Sequence, residues 1–218
     1  TSADVQFLQE YAKFVFDAVY FNDGLYSNYK NYSARPDLNI PRTQAIVEHF
    51  LLPNGQVTGD TPSNNNGNYC VLDVGSAHGF TVQLLREKYN FNAHGIDISH
   101  YAVNSIHSAK PDTRDYIHLF HLNEQQQLNE LVSSLRNKLC DTHSTSNAVM
   151  FKDVLEHVPL QVLDRFIRTF TQQVMVADKI LIVVPIAKPL QAAAEEESQL
   201  RYINSEDERD LTHVIKWT

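Results

Sequence analysis

Gly75 and Gly79 bracket the stretch Gly75-Ser76-Ala77-His78-Gly79, directly after the run Val71-Leu72-Asp73-Val74. A strand that ends in glycine can turn tightly, and the small Ser76 and Ala77 let a ligand approach the backbone. Gly79 permits close packing where the next helix begins. Free N–H groups at such a helix start favour an electron-rich or anionic group. A turn needed only for packing would use the same residues. Further on, Gly95-Ile96-Asp97-Ile98-Ser99 closes a second apolar run. A carboxylate at the tip of a second strand, about twenty residues after the glycines, can accept both hydroxyls of a ribose. Asp97 and Ser99 are also good helix N-caps. The two features together point to a ligand that contains a nucleoside.

The elements that must hold these residues alternate from Tyr69 onward. Short β-branched runs at Tyr69–Val74, Ala93–Ile98, Tyr116–Leu122, Ala148–Phe151 and Lys179–Val184 read as strands. Between them, helical spacing covers Phe80–Tyr89, Tyr101–Ala109, Glu124–Leu139 and Pro159–Val176. Strands separated by helices of that length call for right-handed crossovers. The expected class is α/β: a Rossmann-like, doubly wound, mainly parallel sheet with helices on both faces, plus an N-terminal helical segment. Three regions follow. Residues 1–53 form a helical, aromatic segment, with helices expected over 5–21 and 42–52. Residues 54–68 are a polar loop, and 69–218 are the core. The N-terminal aromatics include Phe16, Tyr20, Phe21, Tyr26, Tyr29 and Tyr32, and they suit either a packed amphipathic helix or a lid over a substrate.

Composition narrows the function classes. With 18 basic against 26 acidic residues the net charge is −8, and Lys and Arg form no dense cluster. Such a surface repels a phosphate backbone, which disfavours nucleic acid as a partner. No apolar run approaches the ~20 residues of a membrane helix. Cys70 and Cys140 have no CxxC spacing and read as two reduced thiols, which gives a cytoplasmic expectation. Histidines 78, 94, 118 and 121 are scattered, and no nucleophile elbow is present.

Three motifs in order carry a family resemblance: Leu72-Asp73-Val74-Gly75-Ser76-Ala77-His78-Gly79, Gly95-Ile96-Asp97, and Asp153-Val154-Leu155-Glu156-His157-Val158. Over residues 69–184 the chain resembles class I S-adenosylmethionine-dependent methyltransferases of the type 11/12-like group. The resemblance implies that Asp73, Gly75, Ser76, Ala77 and Gly79 line the methionine end of S-adenosylmethionine. It also implies that Asp97 holds the ribose hydroxyls, Ile98 lies against the adenine and Asn123 stands near the adenine amine. Asp153 would face cofactor and substrate. The family usually has glycine where Ala77 stands, and Asp where strand four opens with Asn147. Its sheet ends in an antiparallel pair, for which the stretch after Val184 leaves little room.

A narrower resemblance joins Asp153, Glu156 and His157 to His213. It is similar to the pattern of small-RNA 2′-O-methyltransferases and of ubiquinone-biosynthesis O-methyltransferases, and it implies a divalent ion, Mg²⁺, Mn²⁺ or Zn²⁺. The resulting expectation is methyl transfer to a small polar acceptor, most readily an oxygen, with Asp153, His157 or His213 as base or metal ligand. A nicotinamide-dependent reductase would use the same turn and ribose carboxylate, although GxGxxG is absent. A non-catalytic cofactor-binding subunit is the third reading. The acceptor and the oligomeric state are not legible.

Overall fold

Five of the six residues of Tyr69–Val74 are buried, with Cys70, Leu72 and Val74 in one apolar cluster and Val71 in another. A strand covered on both faces belongs in the middle of a parallel sheet. In the computed structural model, which describes residues 15–23, 30–52, 69–120, 133, 146–158, 160–174 and 176–184, it does. The strands are β1 (Tyr69–Val74), β2 (Asn92–Asp97), β3 (Ile117–Leu119), β4 (Ser146–Lys152) and β5 (Lys179–Val183). Their order is β3-β2-β1-β4-β5, and every neighbouring pair is parallel. The α/β, doubly wound expectation holds.

Helices α1 (Ile40–Ile46), α2 (Phe80–Tyr89), α3 (His100–Ala109) and α4 (Leu160–Arg168) flank the sheet. Val82 and Leu85 of α2, Val103 and Ile106 of α3, and Ile46 of α1 pack against Val71, Ala93, Ala148 and Met150. Against the opposite face, Leu155, Phe170 and Val174 meet Leu72, Ile96, Val149 and Phe151. The strand order switches direction between β1 and β4, the chain stepping outward from β1 to β2 and β3 on one side and from β4 to β5 on the other. Ligands of open α/β sheets bind in the crevice outside the carboxyl ends of such a pair.

Boundaries differ from expectation where tertiary contacts intervene. β4 is longer at both ends, because its register pairs Ser146 with Tyr69 and Lys152 with Val183. The helix expected to reach Val176 ends as α4 at Arg168 and continues as a wider π-type turn, Thr169–Val174. There Thr169 and Thr171 donate their hydroxyls to the carbonyls of Arg165 and Ile167, a local competition that loosens an α-helix. Likewise 42–52 divides into α1 and a π-type turn at Val47–Leu51. The expected helix Glu124–Leu139 (Ser133 apart), the loop 54–68 and everything after Val184 lie outside the described residues.

One expectation is overturned. Cys70, fully buried, is disulfide-bonded rather than a reduced thiol. The chain's other cysteine, Cys140, lies outside the described residues. Sequence spacing says nothing of a disulfide between distant positions, since the bond requires Cα atoms within about 7 Å. The compartment argument drawn from free thiols loses its premise. Among the described residues no helix is long and apolar enough to cross a membrane.

Candidate functional site

The glycine turn is held against the end of β2 by its own amides. Gly75 N and Ser76 N both donate to Ile96 O, at 2.9 and 3.0 Å, and Gly79 N donates to Ser76 O at 2.8 Å. Gly75 and Gly79 lie in the left-handed region, φ +77° and +68°, and so does Ala77 at +50°. A side chain at Gly79 would collide with Ile117, and one at Gly75 would come within 2.7 Å of Val154. Close packing therefore explains both glycines. The amides of Gly75, Ser76, Ala77 and Gly79 are all engaged, on Ile96 O, Asp97 and Ser76 O. What stays open is the first turn of α2, which no side chain caps.

Asp97 ties two neighbouring pieces of backbone together. Its Oδ2 accepts from Ala77 N at 2.6 Å and its Oδ1 from Ser99 N at 2.7 Å. Ser99 is the cap of α3, accepting from Ala102 N. The capping alternative was therefore right about Ser99, while Asp97 binds both the turn and the cap. Burial pushes the Asp97 carboxyl up to about 6, the Asp73 charge adds to this, and the Ser99 and Ala77 amides oppose it. Each carboxylate oxygen keeps a lone pair beyond the one its amide takes. Beside it, Ile98 packs against the second cluster.

Asp73, one residue before the end of β1, is fully buried. Lys152 Nζ lies 2.9 Å from its Oδ2 as an ion pair, while Oδ1 is buried without a partner among the described residues. Burial raises the Asp73 carboxyl, and the charges of Lys152 and Arg42 counter the rise. Lys152 donates to Thr81 Oγ1 at 2.8 Å, and Thr43 of α1 donates to the same hydroxyl at 3.4 Å. Asp153 follows at φ +52°, its amide on Val183 O and its carboxylate on Arg42. Asp73, Asp97 and Asp153 thus gather at one end of the sheet.

The N-terminal segment lies directly over this end. Ser99 Oγ donates to Phe16 O at 2.6 Å, and Asn22 Nδ2 donates to Tyr101 OH at 2.6 Å. His78, inside the turn, is buried and walled by Phe21, Tyr32, Phe80 and Tyr101. Its Nε2 lies 3.1 Å from Ser33 Oγ, and burial lowers its pKa to about 4, so the ring is neutral. Burial likewise raises the Tyr32 hydroxyl to about 12. His157 meets Phe16 edge-on at 5.4 Å.

Of the residues singled out from sequence, Asp73, Gly75, Ser76, Ala77, Gly79, Asp97, Ile98 and Asp153 border the carboxyl ends of β1, β2 and β4. Asn123 and His213 lie outside the described residues, as do Tyr26 and Tyr29. Glu156 is wholly buried in the turn Leu155–His157, and Asp153 is engaged by Arg42. Among the described residues no three His, Cys, Asp or Glu converge to hold an ion, and His213 of the expected set lies outside them. Sequence reasoning missed Lys152, Thr81 and Arg42. A lysine closing the apolar run Ala148–Phe151 was a readable signal for the first, whereas Thr81 and Arg42 carry none.

No family model and no curated protein matches this chain. Among solved structures it is similar to a SAM-dependent methyltransferase from Archaeoglobus fulgidus at 18% identity and TM-score 0.45, over 78% of this chain and 67% of that one. The fold class stands on the parallel sheet itself: an open α/β protein with a glycine turn and an acidic second-strand tip at its switch point.

Proposed function

We propose that this chain binds S-adenosylmethionine and directs its methyl group to an oxygen of a small polar acceptor. One observation carries the reading: the Asp97 carboxylate, half-buried beside the left-handed turn Gly75–Gly79, is fastened by Ala77 N and Ser99 N. That fastening leaves one carboxylate in a fixed orientation, the arrangement that suits two adjacent ribose hydroxyls. Ile98 would line the base. The buried Oδ1 of Asp73 and the buried hydroxyl of Ser76 fit the amino-acid end. When bound, the cofactor supplies an electrophilic sulfonium methyl. The chain's part is to orient the acceptor and remove its proton.

Residues 15–23 and 30–39 would act as the cover that excludes water, and His157, beside Phe16, as the base. With an acceptor in hand, His157→Ala lowers transfer by about 100-fold or more and leaves S-adenosylhomocysteine affinity within about twofold, a difference that single-turnover assays and calorimetry separate. Unchanged transfer removes His157 from the role. A nicotinamide cofactor would share Asp97. Against it stand the absence of GxGxxG and the side chain at Ala77, where a close pyrophosphate approach favours glycine.

The test is calorimetric titration with S-adenosylhomocysteine, with NAD run beside it. The expected result is one-to-one binding of the first and none of the second. Ribose hydroxyls favour the ionised Asp97, so protonation competes with binding below its pKa of about 6. Affinity should be level from pH 7.5 to 6.5 and fall by up to about tenfold per pH unit below 6. A flat profile down to pH 5 detaches Asp97 from the ligand. Binding of NAD alone replaces the reading with the reductase one.

A further inference from the structure

Two contacts tie the N-terminal elements to the segment that follows β4, on the side of the switch point away from Asp97. Phe16 of the cover meets His157 edge-on, and Arg42 of α1 donates to the Asp153 carboxylate. The second contact does little as a fastening. The side chains of Arg42 and Asp153 are 40% and 31% exposed, and an ion pair open to water stabilises a fold only weakly. Asp153 is nevertheless held in the left-handed region at φ +52°, its amide on Val183 O. Backbone strain of that kind gathers where ligands are handled. Arg42 also faces inward. Burial raises the Tyr32 hydroxyl and the Asp73 carboxyl, and the Arg42 charge is among those that oppose the rise in each. Lys152 is buried against Asp73, whereas Arg42 is within reach of solvent and already grips a carboxylate.

We propose that the methyl acceptor is a small hydroxylated carboxylic acid whose carboxylate displaces Asp153 from Arg42. The inference rests on the methyl-transfer reading and deepens it by giving the chemical class of the acceptor. A planar guanidinium fork suits a carboxylate in particular, and an incoming acid replaces the internal carboxylate like for like. A chain of net charge −8 repels small anions over most of its surface, so a local cation is what admits one. With its carboxylate on Arg42, the acid has its apolar body toward Phe16 and its hydroxyl toward His157. Arg42 is then a specificity-determining residue, and Asp153 keeps its place until the acceptor arrives.

The test is calorimetric titration of the full chain with phenylacetate and with its neutral isostere phenylacetamide, with and without saturating S-adenosylhomocysteine. The wild type should prefer the acid by at least about tenfold. In Arg42→Gln the preference should fall to within about twofold. Asp153→Asn should act in the opposite direction and tighten acid binding by about threefold or more, because the internal competitor is gone. A merely structural ion pair would give no such gain. Lack of acid preference in the wild type, its survival in Arg42→Gln, or unchanged acid affinity in Asp153→Asn overturns the proposal. Phenyl phosphate bound more tightly than phenylacetate overturns the carboxylate assignment. S-adenosylhomocysteine is titrated into the same variants, and a loss beyond about tenfold in Arg42→Gln gives the guanidinium to the cofactor and overturns the proposal too. If S-adenosylhomocysteine fails to bind the wild type while the acid results hold, the S-adenosylmethionine reading falls and Arg42 stands as a carboxylate site.

Discussion

Gly79→Ala lowers the stability of the chain by about 3 kcal/mol, read as a drop in urea midpoint at unchanged slope. Two costs combine. At φ +68° an L side chain brings its Cβ against the following carbonyl, which costs roughly 1–2 kcal/mol. The new methyl also collides with Ile117, a wholly buried side chain on β3 that must repack to make room; overpacking of that kind costs about 1–3 kcal/mol. The turn's neighbour supplies a control of opposite sign. Ala77 sits at φ +50°, in the same unfavourable region, and its methyl pays the strain where a glycine would not. Ala77→Gly therefore raises stability by about 0.5–1 kcal/mol, the strain removed less the entropy glycine adds to the unfolded chain. Equal and opposite small effects at the two positions would mean that the turn relaxes freely and that its shape is not imposed by β2 and β3.

Asp97→Ala abolishes nucleoside binding, with an affinity loss of about 100-fold or more, and also destabilises the fold by about 2–4 kcal/mol, because the amides of Ala77 and Ser99 lose their acceptor. The stability part has a definite pH signature. The folded carboxyl titrates near 6, above its unfolded value of about 3.9. It holds its proton more tightly when folded, so protonation favours the native state, and that contribution is lost as pH rises from about 4 through 6. Wild type should lose stability relative to Asp97→Ala across that window, and the gap between them should be constant above pH 7. A gap that widens with rising pH would mean that the two amides, not burial, dominate the Asp97 charge. Asp97→Asn separates the two functions of the side chain: it keeps one acceptor oxygen but turns an NH₂ toward the other amide, so it should restore part of the stability and little of the affinity.

Much of the scaffold was legible because its causes are local. Apolar runs of period two or of continuous burial, punctuated by Gly75, Gly79, Pro111 and Pro185, located all five strands. Phe80–Tyr89 falls where helical spacing put it, and Lys179 opens β5 as expected. The glycine turn and the acidic tip of β2 were visible for the same reason: each is a few consecutive residues whose backbone demands can be read without knowing what lies opposite. Strand three runs over Ile117–Leu119 rather than Tyr116–Leu122: Tyr116 belongs to the turn after Pro111–Asp115 and Phe120 lies past the strand's end, boundaries set by packing rather than by propensity.

The functional detail behaved differently. Asp97 reads from sequence as either a ribose ligand or a helix cap, and only the folded chain shows its carboxylate gripping Ala77 and Ser99 at once. Lys152 finds Asp73 across adjacent strands, and Arg42 finds Asp153 from a helix 111 positions away. Cys70, by every compositional argument a reduced thiol, is disulfide-bonded. Local periodicity and turn chemistry specify where strands and helices form, since they act over one or two turns of backbone. Which charges and thiols then meet depends on strand order and on how long loops close, a sum of many weak non-local contacts that no single stretch of residues encodes.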